Sequence, residues 1–483
     1  MFDSVSIPLW IAIVFGLFGV IGLLDRIIGP GFRWFFRRKA NLAIDELNTR
    51  LHLRIQPFKT TKRQSLIDQL LLDGAVVKAI EAHVTEANVP REVAMAKAEH
   101  YAKEIVPNFN AFTYSKIGTR LARWASTFVY RVRLGYADDD GLSKIDPEAT
   151  VVFVMNHRSN MDYVLVTYLA SASATLSYAV GEWARVWLLQ NLIHAMGAYF
   201  IRRDSGNLLY RRVLARYVAM ATRSGVTQAI FPEGGLSRDG HLRDPKFGLL
   251  GYMIGGHDQA KHRDVVFVPV GLNYDRVLED RILTGVGRKA IGESTFKVGF
   301  GGVLGFIWNL LKLRFQGKLY RYGYACASFG KPISLQGWLA KENTSFVKLS
   351  SDKRFKAIEK FGTDLMGKVG DVVPVLPVAL VSTVIKESKG EPLSELDMKA
   401  KVLSLVDELE SQGAHLYIPR MDRDYAITTG LRMLTLRKLI IEKDGYFEIM
   451  AGEEQLIDYY VNSIAHLRKN KKKPRKIPRT ASK

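Results

Sequence analysis

The sequence predicts an α/β fold in which a mixed sheet is flanked by helices, with further helical regions on either side along the chain. From residue 150 to about 275, short runs rich in β-branched and aromatic residues, such as "TVVFVM" and "VVFVPVG", alternate with stretches of helical periodicity. Before and after this part, apolar residues recur three and four positions apart, which is typical of helices. An uncharged run near the N-terminus adds a transmembrane helix to this prediction.

Two apolar segments indicate contact with a membrane. Val5–Leu24 has 20 residues without a charge, about the length that spans a bilayer as a helix, and a buried core helix is the alternative. Positive charges follow it closely and are expected to stay in the cytoplasm, which places the N-terminus outside. Val298–Leu311 has only 14 residues and suits an interfacial or re-entrant segment, with a glycine-rich core helix as the alternative.

Changes in periodicity divide the chain further. The anchor and its basic flank occupy residues 1–40, and helical patterns fill residues 41–140. The α/β domain is predicted for residues 141–340. A second helical region, residues 341–467, follows, and the basic, proline-broken tail at 468–483 is expected to be disordered.

One helix of the C-terminal region has clear end signals. In "SELDMKAKVLSLVDELESQG", Ser394 is a good N-cap residue and Gly413 is a good residue to end the helix. We therefore expect a helix between these two positions.

Composition narrows the kind of partner. The 483 residues carry a formal net charge of +21, which favours anionic partners such as phosphorylated metabolites, acidic carrier proteins, anionic lipid or nucleic acid. Cys326 is the single cysteine, so an intrachain disulfide and a thiolate metal cluster are both excluded. This usage fits a reducing, cytoplasmic setting.

The stretch "VMNHRSNMDY" carries a histidine and a carboxylate directly after an apolar strand. Residues five apart on a regular helix point about 140° away from each other, so His157 and Asp162 cannot pair on one continuous helix. A strand that ends near Met155 and a helix that starts near Ser159 or Asn160 would let Asp162 fold back onto the imidazole ring. Such a pair can act as a base near neutral pH, although both residues could simply cap the turn.

Three further stretches have the same form, a strand followed by polar residues. "GAYFIRRD" ends with Arg202 and Arg203, which suit bidentate phosphate binding or a solvated face. "IFPEGGLSRDG" has a glycine-rich loop whose backbone could approach a ligand closely, or an ordinary loop. In "VVFVPVGLNYD", Pro269 would be unusual in a central strand and therefore indicates an edge or a wall.

In this order and spacing, the four stretches resemble the glycerolipid acyltransferases. The blocks of that family are a His-four-residues-Asp motif, a Gly-aromatic-Phe-Ile-Arg-Arg motif, a Phe-Pro-Glu-Gly motif and a Val-Pro-Val motif. "HRSNMDYVL", "GAYFIRR" and the C-terminal "LIDYYVNSIAHL" are most similar to the bacterial glycerol-3-phosphate acyltransferase branch. The chain is short for that branch, and Leu236 stands where the branch usually has an arginine.

The resemblance implies roles for individual residues. His157 would be the general base and Asp162 its orienting partner, while Arg202 and Arg203 would hold the phosphate of the acceptor. The other implied substrate-binding residues are Glu233, Gly234 and Gly235 in the acceptor site, Ser237, Arg238 and Lys246 near the phosphate or the phosphopantetheine arm of the donor, and Pro269 in the acyl pocket.

The resemblance also implies a reaction and a location. A fatty acyl group would move from acyl-CoA or acyl carrier protein to the sn-1 hydroxyl of glycerol 3-phosphate, with lysophosphatidate or dihydroxyacetone phosphate as alternative acceptors. Because a thioester is a good electrophile, neither a metal, a cofactor nor a covalent acyl-enzyme is needed. We expect a single-pass protein of the bacterial inner membrane that contacts membrane lipid and has its catalytic domain in the cytoplasm.

Two other classes of protein fit the sequence poorly. A serine hydrolase of the common type needs a Gly-x-Ser-x-Gly turn, and no such pentapeptide is present. A nucleic-acid-binding protein would explain the positive charge, but most of the surplus lies next to the anchor and in the tail, and no nucleic-acid-binding motif is present.

Overall fold

A computed structural model describes most of the chain. The described residues are 56–170, 175–181, 187–202, 206–285 and 322–468. The predicted transmembrane run, the predicted interfacial segment at 298–311, Arg203 and residues 469–483 of the basic tail lie outside these ranges. Arg468, the first residue of the predicted tail, is described and pairs with Glu387 and Glu408. Of the helices within them, none is long and apolar enough to cross a membrane.

The described chain begins with helices. They are α1 (Pro57–Thr60), α2 (Arg63–Leu71), α3 (Gly74–Ala87) and α4 (Arg91–Ile105), followed by a π-helical stretch, Thr113–Gly118, that continues into α5 (Thr119–Val129). α3 starts at an N-cap, Asp73, whose carboxylate accepts a hydrogen bond from the backbone N–H of Ala75 at 2.9 Å.

The centre of the molecule is an eight-stranded mixed sheet with the order β1-β7-β6-β2-β5-β3-β4, and β8 pairs with β6. Its strands are β1 (Arg131–Ala137), β2 (Thr150–Met155), β3 (Ser177–Gly181), β4 (Tyr199–Ile201), β5 (Gln228–Ile230), β6 (Val265–Tyr274), β7 (Tyr324–Phe329) and β8 (Ile333–Ser334). The strands β2 to β6 run parallel where they pair, and β6 pairs antiparallel with β7 and β8.

Helices connect and cover the strands. Those within the sheet region are α6 (Asp139–Ser143), α7 (Met161–Ala170), α8 (Trp187–Ala195), α9 (Leu208–Arg223), α10 (Gly248–Ile254), α11 (Asp280–Thr284), α12 (Leu335–Lys341) and α13 (Ser351–Asp371). The C-terminal part contains α14 (Pro377–Glu387), β9 (Leu393–Ser394), α15 (Glu395–Ser411), a 3₁₀ turn (Pro419–Met421), α16 (Arg423–Leu436), β10 (Ile440–Lys443), β11 (Tyr446–Ile449) and α17 (Glu454–Ala465).

Strand β2 shows how the sheet is covered on both faces. All six of its residues are buried, as expected for a β-branched strand inside a parallel sheet. Its side chains alternate between faces, so Val151 and Phe153 pack into a core with the C-terminal helices, while Val152 and Val154 pack into a second core with the N-terminal helices and α13. The N-terminal helices and α13 thus cover one face of the sheet, and the helices from α14 onwards cover the other.

Parts of the predicted layout differ from the observed one. β1 lies inside the stretch that is predicted to be helical. It pairs with β7 along Arg131–Leu134, and this pairing is between residues far apart in sequence, so local periodicity does not predict it. The C-terminal region predicted as helical also contains a three-stranded sheet, β10-β11-β9. The predicted helix of this region is confirmed, since the Ser394 hydroxyl caps α15 and Gly413 adopts a positive φ just after it.

The prediction that Pro269 marks a sheet edge is wrong. Pro269 is buried in β6, where it pairs with Val154 of β2. On the other side of β6, β8 pairs with Val266 and Phe267, and β7 pairs only from Val270 onwards. Pro269 lies in the interval between these two partners, so its missing N–H removes no ladder hydrogen bond there.

Candidate active site

The carboxyl ends of the parallel strands bring the predicted motifs together. β2 leads to His157, β4 leads to Arg202 and β5 leads to Glu233, each within three residues of the strand end. Parallel strands end at the same edge of a sheet, where open α/β folds bind their ligands. The sequence motifs that follow these strands therefore share one site.

His157 and Asp162 form the predicted pair. Nδ1 of His157 lies 2.8 Å from Oδ2 of Asp162, and both side chains are buried. Asp162 stands in the first turn of α7, where the helix N-terminus favours a carboxylate. Its other oxygen, Oδ1, accepts a hydrogen bond from the Tyr274 hydroxyl at 2.6 Å. The carboxylate is thus fixed on both sides and holds the imidazole ring in one orientation.

The loop between β2 and α7 is held by buried carboxylates. Four consecutive backbone N–H groups in this loop each donate a hydrogen bond to one of them. The pairs are His157 N to Glu233 Oε1 (2.9 Å), Arg158 N to Asp162 Oδ2 (2.7 Å), Ser159 N to Asp162 Oδ2 (3.0 Å) and Asn160 N to Glu279 Oε1 (3.2 Å). Because every one of these N–H groups is engaged, the backbone that carries His157 has little freedom to shift.

Burial raises the pKa of both Glu233 and Glu279 above the ordinary glutamate value. For Glu233 the charge of Arg158 opposes this shift, and for Glu279 the hydrogen bond from the Ser159 hydroxyl, at 2.8 Å, does so. Hydrogen bonds from the loop thus favour the ionised form that burial disfavours, and the carboxylates and the loop stabilise each other.

Arg158 connects this loop to distant parts of the chain. Its side chain is almost fully buried, and its guanidinium donates hydrogen bonds to the carbonyl oxygens of Gly240 and of Ser463, the latter at 3.3 Å. Ser463 belongs to α17, so the C-terminal helix is attached directly to the loop that carries His157.

His157 lines a cavity. Its Nε2 atom is buried, and no hydrogen-bond partner for it lies in the described part of the chain. The ring packs against Phe231, with 4.3 Å between centroids, and edge-on against Tyr163 at 5.5 Å. The adjoining cavity, of about 270 Å³, has a mostly apolar lining with Arg202, Arg211 and Lys246 as its cations. The imidazole of His157, which can accept a proton, thus lies beside a cavity large enough for a small molecule.

Arg202 lines this cavity but is already paired. Its guanidinium makes a two-point contact with Glu104 of α4, at 2.9 and 2.5 Å, and this hydrogen bonding raises the pKa of Arg202. The guanidinium also lies over the rings of Tyr101 and Tyr210, at 5.2 and 5.3 Å from the centroids. A phosphate that reached Arg202 would therefore meet a guanidinium whose charge is largely balanced.

Some residues of the "IFPEGGLSRDG" stretch line the cavity, and others support the loop that carries His157. Gly234 and Lys246 line the cavity, and Gly234 has a positive φ of 66°, so an added Cβ would lie only 2.8 Å from Cδ of Lys246. Glu233 is turned inward, where it accepts hydrogen bonds from the backbone of His157 and of Arg243. Gly235 is buried and is not part of the lining.

Three other predicted substrate-binding residues lie elsewhere. Ser237 is fully buried; its N–H donates to the His157 carbonyl at 3.0 Å and its hydroxyl to the His241 carbonyl at 2.8 Å. Arg238 is exposed and outside the cavity lining, and Pro269 in β6 is also outside it. The three residues are outside the lining of this cavity, because the turn after Glu233 is hydrogen-bonded to the His157 loop and Pro269 lies within β6. Their contact with phosphate or the acyl chain stays a prediction.

Sequence reasoning missed several residues of the site. Tyr274, Glu279 and Arg158 support the His157 loop from behind, and Arg211 adds a cation to the cavity. Arg158 and Tyr274 lie within the motif stretches, so only their roles were missed. Arg211 lies on α9 and Glu279 just before α11, without a motif around either. Within the described residues, no group of three or more His, Cys, Asp or Glu side chains could hold a metal ion.

Comparison with known proteins agrees with the motifs. The family model "Acyltransferase" matches residues 138–273, and "Glycerol-3-phosphate acyltransferase C-terminal region" matches residues 303–468, which together is more than half of the chain. The chain belongs to the glycerol-3-phosphate acyltransferase family. Both the His157 loop and α17, which Arg158 joins, fall within the matched regions of this family.

Curated relatives carry the family's name. The chain is 27% identical over 424 residues to "Glycerol-3-phosphate acyltransferase" of Actinobacillus succinogenes, which covers 84% of this chain and 50% of the relative. It is 29% identical over 428 residues to the protein of the same name from Xanthomonas campestris pv. campestris, with 84% and 46% covered. The chain thus spans about half the length of the curated relatives it matches.

A solved structure is also similar to the chain. It is the crystal structure of the 1-acyl-sn-glycerophosphate (LPA) acyltransferase PlsC from Thermotoga maritima, at 15% identity, with 63% of this chain and 97% of that chain covered and a TM-score of 0.30.

Proposed function

We propose that this chain transfers a fatty acyl group from acyl-CoA or acyl carrier protein to the sn-1 hydroxyl of glycerol 3-phosphate, giving lysophosphatidate for phospholipid synthesis. The observation that carries the proposal is the buried His157–Asp162 pair at a cavity that His157 lines together with cationic side chains. The names of the curated relatives support the same reaction.

In the proposed reaction His157 is the general base. Nε2 removes the proton from the acceptor hydroxyl while the hydroxyl oxygen attacks the thioester carbonyl carbon. The tetrahedral intermediate collapses, the C–S bond breaks, and the imidazolium returns the proton to the leaving thiolate. Asp162 accepts the Nδ1–H of the ring, which fixes the tautomer and stabilises the imidazolium.

The cations of the cavity bind the phosphate of the acceptor in this proposal. Arg211 and Lys246 are exposed side chains of the cavity lining, and Arg202 and Arg203 follow β4. Because Glu104 balances Arg202, the phosphate is attracted mainly by Arg211 and Lys246 until it displaces that carboxylate. Lysophosphatidate and dihydroxyacetone phosphate carry the same phosphate group, so they stand as alternative acceptors.

The proposal extends to location. Val5–Leu24 anchors the chain in the bacterial inner membrane as a single span, with the catalytic part in the cytoplasm near its lipid product. Acyl transfer needs no metal or organic cofactor in this scheme, and the basic surface suits an acidic acyl carrier protein or CoA.

An acyl-transfer assay on membranes containing the full chain tests the proposal. Labelled glycerol 3-phosphate, lysophosphatidate and dihydroxyacetone phosphate are each supplied with acyl-CoA and with acyl carrier protein. We expect the highest kcat/KM for glycerol 3-phosphate with at least one of the two donors. A clear preference for either other acceptor would replace the proposed substrate.

His157→Ala is the matched inactive variant. It should lower kcat by about a hundred- to ten-thousand-fold, the usual contribution of a positioned general base. Unchanged circular dichroism and thermal unfolding would show that the loss is chemical. Wild-type turnover in this variant would remove His157 from the mechanism.

A further inference from the structure

A surface on α5 and on the end of the π-helical stretch before it is apolar where a soluble domain is usually polar. Ile117, Leu121 and Trp124 are between 44% and 50% exposed although each is a large hydrophobic residue. The ring of Trp124 stacks on Phe128, with 5.3 Å between centroids, so the four side chains form one continuous stripe, here called the α5 stripe. Contiguous exposed apolar patches of this kind mark interaction surfaces.

The inward face of the same helix is made of small residues. Gly118, Ala122 and Ser126 are buried there, and a Cβ added to Gly118 would lie 3.0 Å from the Met196 side chain. Small residues let α5 pack closely on α7, the helix that carries Asp162. Small residues occupy the inner face of the helix, so the large apolar side chains lie on its outer face. Their exposure therefore does not result from an incomplete core.

The charged residues in the sequence segment that carries the α5 stripe are of one sign. Residues 105–137 contain five lysines and arginines and no aspartate or glutamate in 33 positions. Lys116, Arg120 and Arg123 lie on the helical turns beside the stripe, at positions adjacent to Ile117, Leu121 and Trp124. A helix with bulky apolar residues and tryptophan on one side and basic residues beside them fits the interface of an anionic bilayer.

We propose that the α5 stripe lies in the surface of an anionic membrane, next to α7. This surface is separate from the predicted N-terminal span and from the segment at 298–311. A membrane at this position would lie next to the helix that carries Asp162, where an acyl chain has to arrive and a lipid product has to leave. The inference concerns docking alone, so it can fail while acyl transfer remains intact.

Site-specific labelling of the full chain tests the docking. Cys326 is buried, so a cysteine introduced by Leu121→Cys can be labelled selectively with a polarity-sensitive fluorophore. The matched control is Leu396→Cys, at a leucine that is 77% exposed on α15. Both proteins are reconstituted into vesicles of phosphatidylethanolamine and phosphatidylglycerol and exposed to aqueous iodide or to a lipid that carries a nitroxide.

The expected result is a blue-shifted label at position 121 that the lipid nitroxide quenches and that iodide quenches several-fold less than the label at position 396. Equal quenching by iodide at both positions would overturn the proposal. Quenching of position 121 by neither agent would also overturn it, because a segment of this chain or a second copy would then cover the stripe. Equal lipid quenching in neutral phosphatidylcholine vesicles would contradict the assignment to an anionic surface.

Discussion

At the scale of single residues, the site depends on how one carboxylate is held. Asp162 accepts hydrogen bonds from the His157 ring, two backbone N–H groups of the loop and the Tyr274 hydroxyl. It therefore combines two tasks, orienting the imidazole and closing the loop that carries it. Replacing Asp162 affects both tasks, whereas changing Tyr274 affects only the position of the carboxylate.

We predict graded effects from these two positions. Asp162→Asn should lower kcat by about a hundred-fold or more, because an amide can present its NH₂ to Nδ1 and stabilise the wrong tautomer. Tyr274→Phe removes one hydrogen bond to Oδ1 and should lower kcat much less, with the KM for the acceptor unchanged in both variants. Steady-state kinetics on the two purified proteins check this, and a larger loss in Tyr274→Phe than in Asp162→Asn would contradict it.

Arg202 and Glu104 yield a second prediction at this scale. Arg202→Ala should raise the KM for the phosphorylated acceptor more than the KM for the acyl donor, since a guanidinium gives a planar two-point contact to phosphate. Glu104→Gln removes the competing carboxylate and should lower the KM for the acceptor. Initial-rate kinetics with each substrate varied in turn measure both effects. An effect confined to the donor would assign Arg202 to the phosphates of the carrier.

At the scale of elements, the C-terminal helix is part of the site's support. α17 supplies the Ser463 carbonyl to Arg158, and the Asn462 side chain donates to the Asp239 carbonyl at 2.8 Å. The Tyr460 hydroxyl accepts a hydrogen bond from the backbone N–H of Val277 at 3.2 Å, close to Glu279. One helix thus touches the His157 loop, the turn after Glu233 and the segment after β6.

Arg158→Met is expected to weaken the attachment of α17 to the His157 loop. The change leaves the carbonyls of Gly240 and Ser463 without their buried donor, which should cost about 1 to 3 kcal/mol of unfolding free energy. Because Arg158 acts through the loop and does not line the cavity, kcat should fall while the KM for the acceptor stays near wild type. Arg432→Met, at an exposed arginine of α16, is the matched control and should change neither quantity.

Denaturant unfolding and steady-state kinetics measure the two consequences separately. Arg158→Lys keeps a donor at the position and should recover part of the stability and of kcat. If Arg158→Met and Arg432→Met had the same unfolding free energy and the same kcat, the attachment of α17 to the His157 loop would not matter for the site.

At the scale of the whole molecule, the sheet depends on both helical regions. One face packs against α2 to α4 and α13, and the other packs against α14 to α17. The edge strand β1 also comes from residues before 141. The α/β region is therefore not self-sufficient, since both faces of a buried parallel sheet must be covered.

A fragment of residues 141–340, the predicted catalytic domain, should consequently fail to fold. Without the flanking helices it exposes two apolar sheet faces, and we expect aggregation and no cooperative unfolding transition. Residues 56–468, which retain both helical regions, are the control and should unfold cooperatively. Far-ultraviolet circular dichroism with thermal unfolding checks both, and a soluble, cooperatively folded 141–340 fragment would show that the region is an independent domain.

Local patterns of residues predict the chemistry-bearing positions and much of the fold class. Strand runs of β-branched residues and the strand-to-turn motifs place His157, Arg202 and Glu233 just after strand ends, and Asp162 at the start of the helix that follows β2, because these signals are local. The caps Ser394 and Gly413 were predictable for the same reason. Each of these features depends on residues only a few positions apart.

Which groups line the cavity and which support it depends on tertiary packing. Glu233, Ser237 and Pro269 look like ligand-binding residues in the motifs, yet their side chains face the interior of the protein. Glu104, Arg211 and Ser463 reach the site or its supporting loop from helices far away in sequence. The direction of a side chain and its non-local partners follow from how strands and helices pack across the sheet, and no local pattern of residues encodes that packing.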